Sequence, residues 1–245
     1  MNIKVSIILS LYNSEKTANK TIQSILMQSY KNYEVIIIND GSTDKTYEVL
    51  KKYNKKKKIK IFNFNKNLGL ATRLNYAIKK SIGDYIVRID SDDLMTKKRI
   101  IHQLNQFKKD SSLDVVGGSA LYINAFKKKK IYPVKKDPEI KNKMNYHNPI
   151  IHSSVMFKKK SIIKLGGYDK SFLRCQDYEL WLRGKFVLKF LNLKKILVIR
   201  DVTNFQFQAS NVFYLLRARL KNSNNFMFII FSHMLFLKDL FIYII

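Results

Sequence analysis

Cysteine is all but missing from this chain: Cys175 is the single one in 245 residues, so no intramolecular disulfide framework can brace the fold. No signal peptide is read at the N-terminus, where Met1-Asn2-Ile3-Lys4 leads straight into an apolar run, so a reducing cytoplasmic setting is expected. Acidic residues are scarce as well, with 18 Asp and Glu against 46 Lys and Arg and a formal charge of +28. Such a balance attracts polyanions, whether anionic lipid, phosphorylated glycan carriers or nucleic acid. Lys, Asn and Ile are abundant throughout, so compositional drift accounts for much of the charge equally well. Zinc-ligand spacing, an RNP-type aromatic motif and a recognition helix are all absent, and acidic strand ends would repel phosphate without a metal, so no nucleic-acid partner is expected. Against these absences, 46% hydrophobic residues are enough to bury a substantial core.

Strand and helix signals alternate through the first half. Val5 to Ser10 is a β-rich run, followed by a helical pattern through Ile22, Ile25 and Leu26. Tyr33 to Ile38 ends in a continuous apolar stretch typical of a strand covered on both faces. It runs into Asn39-Asp40-Gly41-Ser42-Thr43-Asp44, where Ser42 or Thr43 is the expected helix cap. A third strand (Ile59 to Phe64), a helix (Leu70 to Lys80) and a fourth strand (Asp84 to Ile89) follow, the last ending in Asp90-Ser91-Asp92-Asp93. This order predicts an α/β fold with a mostly parallel sheet, which binds ligands beyond the carboxyl ends of its strands. The acidic clusters stand at those ends.

The segments VSIILSLYN, VIIINDGSTDKT, NLGLATRLNYAI, YIVRIDSDD, NPIIHSSVMFKK, LGGYD and CQDYELWLR occur in the order seen in the family 2 glycosyltransferases, which the chain resembles from about Ile3 to Arg183. The resemblance implies a GT-A fold: a Rossmann-like, mostly parallel central sheet flanked by helices, here with a C-terminal helical extension. It implies a glycosyltransferase domain over 1–205, with a nucleotide-binding half over about 1–95 and an acceptor-side half over about 96–205, and an extension over 206–245. It further implies an inverting transfer of sugar from a nucleotide-sugar donor, UDP by analogy, to a hydroxyl of a glycan or lipid-linked acceptor of the bacterial surface-polysaccharide type.

Carboxylates one residue apart at a strand end can address one hard cation, Mn²⁺ or Mg²⁺, that keeps positions for substrate phosphates. By the resemblance Asp92 contacts the cation, while Asp90 contacts the donor ribose or the metal shell and Ser91 lies on the donor side. Asp93 is read either with this group or as the cap of a helix beginning near Met95. Asp40, ending the second strand, is expected at the base or ribose; the bland alternative is a turn-forming Asp before Gly41. Leu11, Tyr12 and Asn13 mark where the family's base lies, with Leu11 in place of the usual proline. Arg73 and Arg88 are candidates to offset phosphate charge, although solvated or ion-paired arginines are the commoner fate.

The expected catalytic base is Asp177, because an attacking hydroxyl must lose its proton to a group on the face opposite the leaving diphosphate. Gln176 stands where the family has an acidic residue. The alternative role for Asp177 is to cap the helix running through Trp181. His152, Gln176 and Trp181 are expected on the acceptor side, and Gly166-Gly167 is expected to allow a tight turn before the base. Beyond Arg183 the pattern thins, and the family's Arg-x-His segment has no His here. The apolar stretch 226–245, after Arg217, Arg219 and Lys221, is expected to lie as an amphipathic helix on an anionic membrane surface, placing the protein on the inner face of the cell membrane; the alternative is a helix packed against the globular core. Gln176 and the missing His motivate one competing reading, a catalytically silent sugar-nucleotide-binding or scaffold subunit.

Overall fold

The computed structural model describes residues 3–124, 126–203, 210–222 and 234. Its strands are β1 (Val5–Leu11), β2 (Tyr33–Asp40), β3 (Ile59–Phe64), β4 (Tyr85–Ile89), β5 (Asp93–Met95), β6 (Val115–Ile123), β7 (Lys128–Ile131), β8 (Met156–Lys158) and β9 (Phe190–Asp201). Its helices are α1 (Ala18–Leu26), α2 (Thr46–Lys51), α3 (Leu70–Lys80), α4 (Arg99–Lys109), α5 (Asp137–Lys143), α6 (Lys159–Lys164), α7 (Gln176–Gly184) and α8 (Ser210–Lys221), with a 3-10 turn at His152–Ser154. One sheet runs in the order β3-β2-β1-β4-β8-β6-β9-β5, and β7 extends β6 as a hairpin arm. Strands β1 to β4 pair in parallel, as the alternation predicts, while β8 joins β4 and β6 antiparallel. The α/β fold with helices on both faces is the one the sequence pattern implies, but the sheet is mixed rather than mostly parallel, because β8, β7 and β5 all pair antiparallel to their neighbours.

The period of two along the strands explains how the sheet is covered. Val35 and Ile37 face a core closed by Ile22 and Ile25 of α1 and Ile100 and Leu104 of α4. Ile36 and Ile38 face a second core closed by Leu74 and Ile78 of α3 and Leu180 and Trp181 of α7. The continuous apolar run in β2 is therefore shared between two layers, as parallel strands require. Gly41 ends β2 at φ 68°, and a Cβ there would lie 2.6 Å from the backbone of Lys66 and Asn67, so only glycine lets the two loops pass.

Two local expectations are corrected. Helix α2 starts at Thr46, and its early N–H is satisfied by Asp44 (2.9 Å) rather than by Ser42 or Thr43. Those two bond to Asn13 instead, joining the ends of β1 and β2. Asp93 caps no helix: it lies in β5, opposite Arg200 of β9, and α4 begins only at Arg99. The cations of α8 contact the domain: Arg219 is buried against Tyr178, Arg217 bonds Ser171 (3.0 Å), and Lys221, itself exposed, pairs with Asp169. The stretch 226–245 lies outside the described residues apart from 234, and among the described residues no helix is long and apolar enough to cross a membrane.

Candidate active site

Strands β1, β2 and β4 deliver Tyr12, Asp40 and Asp90 to one end of the sheet. Leu11 is buried in the core, whereas Tyr12 is half exposed and Asn13 adopts φ 48° in the loop it shares with Ser42 and Thr43. Asp40 is 2% exposed and already engaged: Oδ1 accepts from Arg73 Nε and the Leu68 N–H (2.9 Å), and Oδ2 accepts from the Gly69 N–H (2.9 Å). A carboxylate has about four lone-pair sites, so one remains on Oδ2 for an outside donor. Arg73 also stacks on Phe64 at 3.7 Å and donates to the Lys66 carbonyl, which makes it a buried strut under the 66–69 loop rather than a free phosphate ligand.

The β4 end is organised by arginines. Arg88, 2% exposed, grips both oxygens of Asp90 with its two terminal nitrogens, while its buried Nε has no partner among the described residues. Arg200 reaches in from β9, 3.1 Å from Asp93 and 3.8 Å from Asp90. Arg99, fully buried, donates to the carbonyls of Arg88, Ser153 and Val155 and fixes the backbone beneath them. Burial pushes the Asp93 carboxyl up to about 6 despite the Arg200 charge beside it. Asp92 differs: its carboxylate is exposed and has no side-chain partner among the described residues, and burial of its surroundings together with the neighbouring Asp90 charge raises its pKa. Ser91 uses its carbonyl to accept from Thr21 (2.8 Å), which sets the turn that presents Asp92.

Mn²⁺ or Mg²⁺ can be tested against this donor set. Among the described residues no three acidic, His or Cys side chains converge on one point. A free carboxylate raised by a neighbouring anion does gain from a cation, and Mg²⁺ is commonly held by one or two carboxylates plus substrate phosphates. Asp92 therefore fits as the direct ligand. Asp90, tied up by the Arg88 fork, fits only as a neighbour. Beside Asp92 lies a hollow of about 180 Å³ bordered by Lys16, Lys20 and Thr21. Larger hollows of about 420 and 460 Å³ flank Lys159 and Ile163, away from these acidic strand ends, and hold none of this chemistry.

On the other side stands Asp177, in the first turn of α7. It is not the cap, since Cys175 precedes the helix in a left-handed conformation at φ 53° and no side chain caps it. Asp177 Oδ2 accepts from Asn148 Nδ2 at 2.6 Å, and Asn148 Oδ1 in turn accepts the Ile150 N–H at 3.1 Å. That second bond fixes which end of the amide faces the carboxylate. Burial raises the Asp177 pKa, outweighing Arg88 and the Tyr178 N–H and Asn148 hydrogen bonds, which lower it. His152 Nε2 meets the Tyr168 hydroxyl at 2.8 Å, and burial with Arg88 and Arg200 nearby holds the imidazole neutral, well below its ordinary range. Tyr168 is pinned through its backbone by Asn75 (2.7 and 2.8 Å), directly after Gly166 and Gly167, both at positive φ as the expected tight turn requires. Trp181 is fully buried against Phe190 and reaches the acceptor side only by backing the His152 ring; Gln176 is also buried.

The segment 148–154 thus joins the two halves of the site: Asn148 holds Asp177, and Ser153 Oγ accepts the Asp90 N–H at 3.1 Å. Asn148, Arg99 and Arg200 are not singled out by the sequence, and Ser153 and Tyr168 appear there only as members of motifs, without a role of their own. Asn148 and Ser153 lie inside the NPIIHSS motif; Arg200 carries no local signal, because only the β5–β9 pairing brings it to Asp93.

The profile of glycosyl transferase family 2 matches residues 6–166. Among curated proteins, EpsE of Bacillus subtilis, provisionally assigned as a glycosyltransferase, is 36% identical over 186 residues, covering 74% of this chain and 66% of that protein. The uncharacterized glycosyltransferase RT0329 of Rickettsia typhi is 32% identical, covering 81% and 62%. MJ1057 of Methanocaldococcus jannaschii, an uncharacterized glycosyltransferase, is 30% identical, covering 98% and 87%. The chain thus spans about two thirds of the length of the first two relatives. In three dimensions it is similar to S. aureus TarS in complex with UDP-GlcNAc (TM-score 0.73, 17% identity, 96% of this chain and 70% of that one). It is similar also to the mannosyltransferase PcManGT of Pyrobaculum calidifontis in complex with GDP-Man and Mn²⁺ (TM-score 0.70, 16% identity, 95% and 69%).

Proposed function

The chain belongs to glycosyl transferase family 2, and from that premise we propose that it transfers a sugar, with inversion, from a nucleotide-sugar to a hydroxyl of a glycan or lipid-linked acceptor in surface-polysaccharide synthesis. UDP is the proposed nucleotide, a hexose or acetamidohexose the proposed sugar, and Mn²⁺ or Mg²⁺ the proposed metal. The first 95 residues act as the donor half and residues 96–205 as the acceptor half. The observation that carries this reading is the pairing of a free strand-end carboxylate, Asp92, with an oriented carboxylate of raised pKa, Asp177, across one segment, 148–154.

The base is Asp177. Asn148 occupies Oδ2, leaving Oδ1 to accept the proton of the acceptor hydroxyl as its oxygen attacks the anomeric carbon. The bond from that carbon to the diphosphate oxygen breaks in the same displacement, and the protonated Asp177 later returns its proton to water. A raised pKa makes the carboxylate a stronger base. When bound at Asp92, the cation supplies Lewis-acid charge for the diphosphate oxygens. Arg88 holds Asp90 in place, and the last lone pair of Asp40 is available to an N–H of the nucleoside base. His152, neutral and held by Tyr168 through Nε2, backs the acceptor side. An intact, oriented base supports an enzyme over a silent subunit.

The test is nucleotide release from a panel of UDP- and GDP-sugars with mixed lipid-linked acceptors and Mn²⁺ or Mg²⁺. Turnover with one donor, abolished by chelation, is expected. Failure to bind any nucleotide-sugar would overturn the proposal, and binding without turnover across the panel would favour the silent subunit.

A further inference from the structure

The hairpin of β6 and β7 has a composition that nothing in the transfer chemistry requires. Between Asp114 and Asp137 the chain carries six lysines and no acidic residue. Lys127, Lys128, Lys129 and Lys130 follow one another on the outgoing arm and are all exposed. Because strand side chains alternate, Lys128 and Lys130 face one side of the ribbon and Lys129 the other, so the arm is cationic all round. At its tip Phe126 is 95% exposed, and Tyr132 is exposed at 56% further down the same arm. The turn itself is built: Asn124 Oδ1 accepts the N–H groups of Phe126 (3.0 Å) and Lys127 (2.8 Å), and the Asn124 N–H donates to the Lys127 carbonyl (3.0 Å).

Lysines on an edge strand also deter pairing with another chain. One inward or edge lysine serves that purpose, and a fully exposed phenylalanine at the tip works against it. Exposed aromatics ringed by lysines suit a different surface, one that is anionic at its face and apolar just beneath. The root of the hairpin supplies the orientation. Tyr122 of β6 lies 3.3 Å from Arg200, which itself contacts Asp93 and Asp90, so the arm projects from the edge of the site that carries those carboxylates.

We propose that the β6–β7 hairpin is a membrane-docking arm, in which Phe126 enters the acyl boundary of an anionic bilayer while Lys127 to Lys130 bind its headgroups. This rests on the transferase reading only for its purpose, which is to turn the Asp90 to Asp93 end toward a lipid-linked acceptor. The docking itself is independent of catalysis.

The test uses the full chain and vesicles of phosphatidylcholine with or without phosphatidylglycerol. In Phe126→Trp, the new indole is a local reporter, because the only native tryptophan, Trp181, is fully buried. Its emission is expected to shift to the blue and to be quenched by brominated acyl chains with phosphatidylglycerol vesicles alone. Changing Lys128 and Lys130 together to Gln is expected to weaken vesicle partitioning about 30-fold, at roughly fivefold per lysine. Phe126→Ala is expected to weaken it about tenfold. UDP-sugar binding, titrated separately without vesicles, is expected to be unchanged in all three variants, so loss of donor binding by the wild type would count against the transferase reading and not against the arm. An unshifted indole emission, or partitioning indifferent to Phe126→Ala, would overturn the proposal and assign the lysines to a soluble polyanion.

Discussion

Replacing Asp40 by Asn tests whether the end of β2 is a buried electrostatic strut as well as a binding residue. Asp40 and Arg73 are each 4% exposed at the side chain, and the carboxylate accepts from Arg73 and from the N–H groups of Leu68 and Gly69. An amide has one carbonyl oxygen, so at most two of those three donors can be kept, and the NH₂ group is turned toward a third donor. The guanidinium of Arg73 is left in the core without its counter-charge, and removing one partner of such a pair costs about 3–5 kcal/mol. For a domain stable by about 5–15 kcal/mol, that is a large share. Urea unfolding followed by circular dichroism should show a midpoint lower by about 1–2 M, with the slope unchanged. The paired change Asp40→Leu with Arg73→Met should recover at least half of the loss, since buried pairs are often replaced by apolar residues at little net cost. A loss below about 1 kcal/mol for Asp40→Asn, or a double variant no better than the single, would refute the strut.

Other outcomes follow from the same geometry. Asn148→Ala removes a hydrogen bond that favours the ionised form of Asp177, so the acidic limb of the kcat/KM profile should move to higher pH, and a merely structural role would lower activity without moving the limb. Gly41→Ala should destabilise the chain by about 1–3 kcal/mol in the same urea assay, because its Cβ meets backbone at 2.6 Å and φ is positive. Glu34 and Asp169 are both lowered: burial pushes each up, but hydrogen bonds from Ser6, the Ile82 N–H and Lys60 prevail at Glu34, and Lys221 with Ser171 hold Asp169 at about 2. Their contribution to stability is therefore complete above the ordinary carboxylate range and is lost as pH falls from about 4 toward 2. Melting temperature should fall steeply there, and less steeply in Asp169→Asn.

The parallel half of the fold was legible because its signals are local. Each of β1 to β4 is an apolar run ending in Asn, Asp or Gly, and α3 from Leu70 to Lys80 is bounded by Gly69 and Ser81. The acceptor half was less so. β5 has three residues and β8 has three, too short for a period to show, and both exist because long-range partners, β9 for one and β4 for the other, complete their ladders. The same distinction governs the site. Asp40, Asp90, Asp92 and Asp177 could be named from strand ends and ordered motifs, whereas the Arg200 approach from β9 and the Asn148 orientation of the base depend on tertiary contacts between residues far apart in the chain. The contacts of Arg217, Arg219 and Lys221 with Ser171, Tyr178 and Asp169 are hidden for a related reason: a basic run gives no sign of what lies opposite it.

In the proposed transfer Asp177 takes the proton of an acceptor hydroxyl while the donor is held elsewhere. The direct measurement compares wild type with Asp177→Asn for nucleotide-sugar affinity and for turnover under saturating donor and acceptor. The account predicts equal donor affinity and a turnover lower by about 10²–10⁴-fold in the variant. An Asp177→Asn enzyme within a few-fold of wild-type turnover would contradict it and place the base on another residue.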